Sequence, residues 1–94
     1  MAKGYVLITE TITDPEGMKE YAKLAGRAMG GATILSVDHK PTVIEGTWNC
    51  TQTVLLEFES VAAAKDWYHS EPYQAAAKVR QSAASCDGVI LAGF

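Results

Sequence analysis

Glu57 is the residue whose type and position in this chain best suit acid–base chemistry. Residues 51–59 alternate regularly between two faces, which predicts a strand. One face carries Val54, Leu56 and Phe58, and the other carries Thr53, Leu55 and Glu57. A carboxylate enclosed in an apolar cavity has its pKa raised by desolvation, as a general acid or base requires. Glu57 is therefore a candidate catalytic residue; the alternatives are a solvated carboxylate near the end of the strand and a structural ion pair.

The two histidines offer a second titratable group. His39 follows a predicted strand, at a position where an imidazole can relay protons near neutral pH, and the alternative is a surface loop. His69 ends a predicted helix, where an imidazolium meets the negative end of the helix dipole, so capping explains it well. We therefore take His39 as the candidate partner of Glu57.

Four aromatic side chains are candidates for an apolar pocket that holds a planar ligand: Trp48, Trp67, Tyr68 and Tyr73. Neighbouring residues of a helix point about 100° apart, so Trp67 and Tyr68 cannot both face one site. Trp67 shares a helical stripe with two alanines, which predicts that it packs in the core. Structural packing is the alternative for the whole group.

No residue pattern predicts a metal or a cofactor. The two histidines lie 30 positions apart, without the acidic or thiol spacing of a zinc site. Cys50 and Cys86 lie outside any CxxC spacing and are expected to be free thiols. Residues 26–31 resemble a glycine-rich phosphate loop, but they follow a helix, where the positive end of its dipole is absent.

Length and composition exclude several classes of protein. The 94 residues make a single domain, 1–94. The net charge is −3 and the eight Lys and Arg are scattered, so nucleic-acid binding is not expected. No apolar run approaches the roughly 18 residues of a membrane span. The start of the chain lacks the pattern of a signal peptide, so a cytoplasmic location is expected.

Periodicity and capping residues predict the order of the elements. Strand 4–12 is followed by a helix from Asp14-Pro15 to Gly30-Gly31 and by strand 33–37. An irregular stretch, 38–49, offers a short strand at 42–45 and leads to strand 51–59. A helix capped by Ser60 runs to about 69, and its continuation, capped by Ser70, runs to about 84. A turn at Asp87-Gly88 leads to strand 89–94. The order βαββαβ predicts an α+β fold of the ferredoxin-like type, with a four-stranded antiparallel sheet and its helices on one face.

The first strand carries apolar residues on both of its faces. Val6 and Ile8 point one way, while Tyr5 and Leu7 point the other. A sheet face that meets water should be polar, so an apolar second face predicts an interaction surface. We expect a homodimer through this face, enclosing a cavity lined by Tyr5, Leu7, Thr9, Thr53, Leu55 and Glu57.

Two segments carry a resemblance to a known family. The first contains Lys3-Gly4-Tyr5, Asp14-Pro15-Glu16 and Tyr21. The second contains Lys40-Pro41, Ile44-Glu45-Gly46, Trp48, Glu57-Phe58, Ser60, Ala64, Trp67-Tyr68, Ser70, Pro72-Tyr73-Gln74 and Arg80. These residues resemble the family catalogued as Domain of Unknown Function 1330. The resemblance covers nearly the whole chain and implies a dimeric α/β barrel of ferredoxin-like subunits, with no established activity.

The chain departs from that family at two positions. Members commonly carry arginines where this chain has Val37 and Gln52. If those arginines bind an anionic ligand in other members, that ligand is not implied for this chain.

Two functions remain open. In the first, the dimeric barrel binds a small organic molecule, with candidate contacts from Tyr5, Thr9, Trp48, Thr53 and Tyr73. In the second, the protein is a cofactor-independent enzyme, similar to the small monooxygenases and isomerases of this fold, with Glu57 as base and His39 as proton relay. What separates them is whether Glu57 and a second titratable group converge inside a closed pocket.

Overall fold

The structure is a computed structural model that describes residues 2–48 and 50–94; position 49, which ends the predicted irregular stretch, lies outside these residues. The elements in chain order are β1 (Gly4–Ile12), α1 (Pro15–Arg27), β2 (Thr33–Asp38), β3 (Gln52–Phe58), α2 (Val61–His69), α3 (Glu71–Ala83) and β4 (Ala84–Ala92).

The four strands form one antiparallel sheet in the order β2-β3-β1-β4. The first and third strands pair in the centre, and the second and fourth strands form the edges, so the sheet of one chain stays open. This arrangement confirms the predicted ferredoxin-like fold. None of the helices in the described parts of the chain has the length and hydropathy needed to cross a membrane.

The predicted helix starts are confirmed. Ser60 accepts a hydrogen bond from the backbone N–H of Ala63, and the hydroxyl of Ser70 accepts one from that of Tyr73. These bonds satisfy amide groups that the first turn of a helix leaves without partners. Asp14 holds the cap position of α1, but its side chain makes no capping hydrogen bond.

Two predicted local features are wrong. Asp87-Gly88 forms no turn; these residues belong to β4, paired with Thr9 and Ile8 of β1. β4 therefore begins at Ala84. Backbone pairing with β1 along its whole length is more favourable than the turn that Asp-Gly would form locally. Residues 42–45 form no strand.

The core lies between the sheet and the helices α2 and α3. Its main side chains are Val6, Ile8, Leu56, Phe58, Trp67, Tyr73, Ala76 and Ala77. The predicted burial of Trp67 is confirmed, and its indole N–H donates to the carbonyl of Ala28 at 2.7 Å. The Trp67 ring also packs on Tyr73, with ring centroids 3.9 Å apart.

Helix α1 packs mainly on α3 and only sparsely on the strands. At Gly17 the two helices approach so closely that an added Cβ would lie 2.8 Å from the Cβ of Ala83. The backbone N–H groups of Thr13 and Asp14 also donate to the carbonyl of Ala83. The start of α1 is thereby tied to the end of α3, and space remains between α1 and the neighbouring strands.

Candidate functional site

A cavity of about 770 Å³, open to solvent on one side, lies between α1 and the sheet. We call it the α1 cavity. Its helix wall includes the small residues Ala22, Ala25 and Gly26, and its sheet wall includes Ile34, Val37 and Val54. Small side chains on the helix wall leave part of the volume unfilled. A cavity of this size and apolar character suits a small organic molecule.

Glu10 lies in the wall of the α1 cavity and is the most unusual residue there. It is only 1% exposed, and one carboxylate oxygen accepts a hydrogen bond from the Gln52 amide at 2.6 Å. Burial raises the pKa of Glu10, although the bond from Gln52 and the charge of Arg80 act in the opposite direction. Glu10 is therefore a candidate for proton exchange or hydrogen bonding with a molecule in the cavity.

Two hydrogen-bonded tyrosines, Tyr21 and Tyr73, lie beside the same cavity. The hydroxyls of Tyr21 and Tyr73 lie 2.8 Å apart, and Tyr21 lines the cavity. Burial, together with the neighbouring Tyr73, raises the pKa of Tyr21. Tyr21 therefore stays protonated and presents a hydroxyl rather than a phenolate.

The open face of the sheet, which no helix covers, carries most of the predicted site residues. The Tyr5 hydroxyl donates to Glu57 at 3.1 Å, and the two residues are register partners on β1 and β3. The hydrogen bond to Glu57, some desolvation and the negative charge of Glu57 raise the pKa of Tyr5. A second titratable group thus lies beside Glu57, and that group is Tyr5.

Thr9, Thr53 and Trp48 form a second group on this face. Thr9 and Thr53 are register partners, and the Trp48 indole N–H donates to the Thr53 hydroxyl at 2.8 Å. The Cys50 sulfur lies 3.3 Å from the same hydroxyl. Both cysteines are free, as expected. The open face therefore brings together five of the seven predicted site residues.

The structure does not bring His39 and Tyr73 to the open face. His39 lines the α1 cavity, because Asp38 pairs with Thr53 and strand alternation sends the next residue the other way. Tyr73 is 0% exposed and packs among the helices. Within one chain, the predicted relay between His39 and Glu57 is therefore not assembled.

Glu10 is not among the site residues predicted from the sequence, although the pattern of the first strand indicates that it is buried. Val6 and Ile8 occupy the core-facing phase of the first strand, and Glu10 continues that phase by two residues. A carboxylate on the apolar phase of a strand indicates a buried acid that needs a partner. The strand pairing then supplies that partner as Gln52.

Residues 3–94 match the family model described as Domain of unknown function (DUF1330). The chain belongs to this family. The match confirms the resemblance seen in the sequence, and no curated protein matches this DUF1330 chain.

Solved structures of similar fold carry little sequence identity to this DUF1330 chain. One is RPA0582 from Rhodopseudomonas palustris, a protein of unknown function, with a TM-score of 0.68 and 20% identity over 99% of this chain and 83% of that one. Another, from Thermobifida fusca YX, is described as a dimeric ferredoxin-like protein of unknown function, with a TM-score of 0.66 and 9% identity over 97% and 91% of the two chains. A third of the same description, from Jannaschia sp. CCS1, has a TM-score of 0.70 and 13% identity over 95% and 97%. These likenesses support the fold.

Proposed function

We propose that this protein binds a small, mostly apolar organic molecule in the α1 cavity. The observation that carries the proposal is a cavity of about 770 Å³, walled by small and aliphatic side chains, with one buried carboxyl group at Glu10. Apolar walls supply affinity through desolvation, and a single polar group orients the ligand. Glu10 would accept or donate the one hydrogen bond that a polar atom of the ligand requires.

Titration with Nile red, a neutral apolar dye, tests the proposal. We expect saturable binding with enhanced, blue-shifted fluorescence. Ala22→Leu places a larger side chain in the cavity wall and should weaken binding by about tenfold or more, since it fills space that the dye must occupy.

Ala75→Leu is the matched control, because Ala75 is an exposed alanine of α3 that lines neither described cavity. It should bind the dye as the native protein does. Equal binding by both variants, or no saturable binding by the native protein, would show that the α1 cavity is not the site. Native mass spectrometry of freshly purified protein then reveals whether a ligand is carried along.

We also propose that two copies pair through the open face of the sheet, which would enclose Tyr5, Thr9, Thr53 and Glu57 between them. Val89 and Leu91 are 50% and 45% exposed, and Leu7 lies opposite Leu55 in the centre of the sheet. The proteins described as dimeric with this fold support such pairing. A second copy would close the open face and turn its polar groups into a cavity lining.

Light scattering coupled to size exclusion tests the dimer. The native protein should have twice the mass of one chain at micromolar concentration, and Leu7→Lys should give single chains because it places a charge in the centre of the interface. Ala75→Lys changes an exposed helix position and should leave the dimer intact. A native mass of one chain would refute the pairing.

Proton transfer to or from the ligand is a second candidate function. One observation favours it: burial raises the pKa of Glu10 in the cavity wall, as acid–base catalysis requires. The predicted base Glu57 lines neither described cavity, so its use as a base depends on closure of the open face by a second copy.

The probe 5-nitrobenzisoxazole tests general-base capacity. Glu10 would take the proton from carbon while the nitrogen–oxygen bond breaks and leaves a phenolate, whose absorbance reports the rate. We expect saturable turnover that Glu10→Gln abolishes and Glu57→Gln leaves intact. If only Glu57→Gln abolished turnover, Glu57 on the open face would be the general base instead of Glu10. If the native protein showed no turnover, simple binding would remain as the function.

A further inference from the structure

A second cavity, of about 540 Å³, lies on the other side of the core, and we call it the β4 cavity. It opens between β4 and the helices α2 and α3. Six residues of its wall matter here: Tyr68, His69, Arg80, Cys86, Gly88 and Ile90. Glu10 and α1 take no part in this wall, and Ile8 is the one described residue that lines both cavities.

Arg80 is the notable residue of the β4 cavity. It extends from the last turn of α3 and is only 4% exposed. Its Nε is buried and has no hydrogen-bond partner in the described chain. Within residues 2–48 and 50–94, the one ion pair joins Lys19 to Glu16, so no described carboxylate pairs with the Arg80 guanidinium.

Burial acts to lower the pKa of Arg80, but Tyr73, a side-chain hydrogen bond with Cys86, and Tyr21 together raise it above its ordinary value. The guanidinium lies over the Tyr21 ring, 5.8 Å from its centroid, which is a cation–π contact. Glu10 interacts with Arg80 electrostatically, but its carboxylate bonds to Gln52 instead. A buried guanidinium without a paired anion is costly, because the interior replaces the hydration of the charge poorly. Within the described chain, then, no carboxylate pairs with Arg80 and its Nε makes no hydrogen bond.

We propose that the β4 cavity binds the carboxylate of a small organic acid, with Arg80 as the residue that recognises it. The planar fork of arginine matches a carboxylate in geometry, and Arg80 lines the cavity. The apolar body of the acid would pack against Ile90 and the ring of Tyr68, which line the same cavity. The cavity volume suits a molecule of the size of a substituted benzoate.

Binding of benzoate, measured by calorimetry and by NMR shifts, tests this inference. The native protein should bind benzoate at millimolar concentration and the neutral analogue benzamide far more weakly. Arg80→Met should weaken benzoate binding by about tenfold or more, because hydrogen bonds between charged groups are lost. Arg80→Lys, which keeps the charge but lacks the fork, should bind with intermediate affinity.

A second variant separates recognition from folding, since Arg80 is buried and its replacement can disturb the core. Gly88→Leu introduces a side chain into the β4 cavity and leaves Arg80 in place, so it should also abolish benzoate binding. Ala22→Leu, in the other cavity, should bind benzoate normally while it loses Nile red, which keeps the two proposals distinguishable.

Three results would overturn the inference. They are equal benzoate affinity in the native protein and folded Arg80→Met, undiminished benzoate binding by Gly88→Leu, and absence of benzoate binding by the native protein. Tighter binding of phenyl phosphate than of benzoate would overturn the assignment of a carboxylate.

Discussion

The Gln52 side-chain amide lies 2.6 Å from a carboxylate oxygen of Glu10, and these two residues are also register partners on neighbouring strands. The bond therefore crosses the ladder on the face that the helices cover. It gives a buried carboxyl group one donor, where solvent would give several. The ionised form of Glu10 is for that reason less stable in the folded protein than in the unfolded chain.

The first prediction concerns the pH dependence of stability. Burial raises the folded pKa of Glu10 above the ordinary value of 4.5, so the folded protein holds this proton more tightly than the unfolded chain. The stabilisation is complete below the unfolded pKa and is lost as the pH rises through the folded one. Glu10→Gln cannot titrate, so its Tm relative to the native protein should increase over that interval.

Thermal unfolding followed by circular dichroism across acidic and neutral pH measures this difference. Glu59→Gln, a change at an exposed carboxylate just beyond the same sheet, is the matched control. A constant difference in Tm between Glu10→Gln and the native protein at every pH would contradict the assignment of a raised pKa.

The second prediction concerns Trp67. Its indole is buried against Phe58 and Tyr73 and also bonds to the carbonyl of Ala28. Trp67→Ala should lower the free energy of unfolding by about 3–5 kcal/mol, because it opens a large space in the core. Trp67→Phe should cost about 1–3 kcal/mol, since the buried carbonyl loses its donor.

Phe94→Ala is the control for both variants, since the Phe94 ring is fully exposed and its loss should cost less than about 1 kcal/mol. Denaturation in urea provides all three values. A cost for Trp67→Ala below that for Phe94→Ala would exclude Trp67 from the core.

Most elements of this fold are predictable from the sequence, because their local sequence signals agree with the tertiary structure. Ser60 and Ser70 cap the helices that they predict, and the alternation of the third strand gives its two faces correctly. The start of β4 is not predictable, because Asp87-Gly88 has a local preference for a turn and forms a strand only through its pairing with β1. Cavity formation is not predictable either, because it depends on α1 packing on α3 rather than on the sheet.

The positions of the predicted site residues also follow only partly from the sequence. Strand alternation predicts that Tyr5, Thr9, Thr53 and Glu57 share one face, and the strand register puts them there. His39 follows the end of β2, beyond a register irregularity between Ile34 and Ser36 that alters the phase. Such an irregularity leaves no clear trace in the sequence, and one residue of slip sends a side chain to the opposite face.

The third prediction concerns the close approach at Gly4. A Cβ at this position would overlap the carbonyl oxygen of Ser60, the residue that caps α2. Gly4→Ala should therefore lower the free energy of unfolding by about 1–3 kcal/mol, as overpacking does in other proteins. The overlapping atoms belong to the backbone of Ser60 and Val61, so rotation of a side chain cannot relieve the overlap.

Gly26→Ala is the matched control, since a Cβ there meets nothing within 4 Å. It lies in α1 and should be neutral or stabilising by up to about 1 kcal/mol, because alanine favours helix. Denaturation in urea distinguishes the two. Equal stability of Gly4→Ala and the native protein would mean that the first strand and α2 are not in contact.

The fourth prediction concerns the pair of Tyr5 and Glu57 on the open face. The Tyr5 hydroxyl donates to Glu57, and both this bond and the negative charge raise the pKa of Tyr5 above 10.0. Glu57→Gln removes the charge and weakens the bond to the protonated hydroxyl, so Tyr5 should titrate at lower pH than in the native protein. Phenolate absorbance during an alkaline titration measures the change, and Tyr5→Phe identifies the contribution of Tyr5 among the four tyrosines. In the Tyr5→Phe background, Glu57→Gln should leave the titration unchanged; a shift that persists there would mean that Glu57 acts on another tyrosine and that the two side chains are not partners.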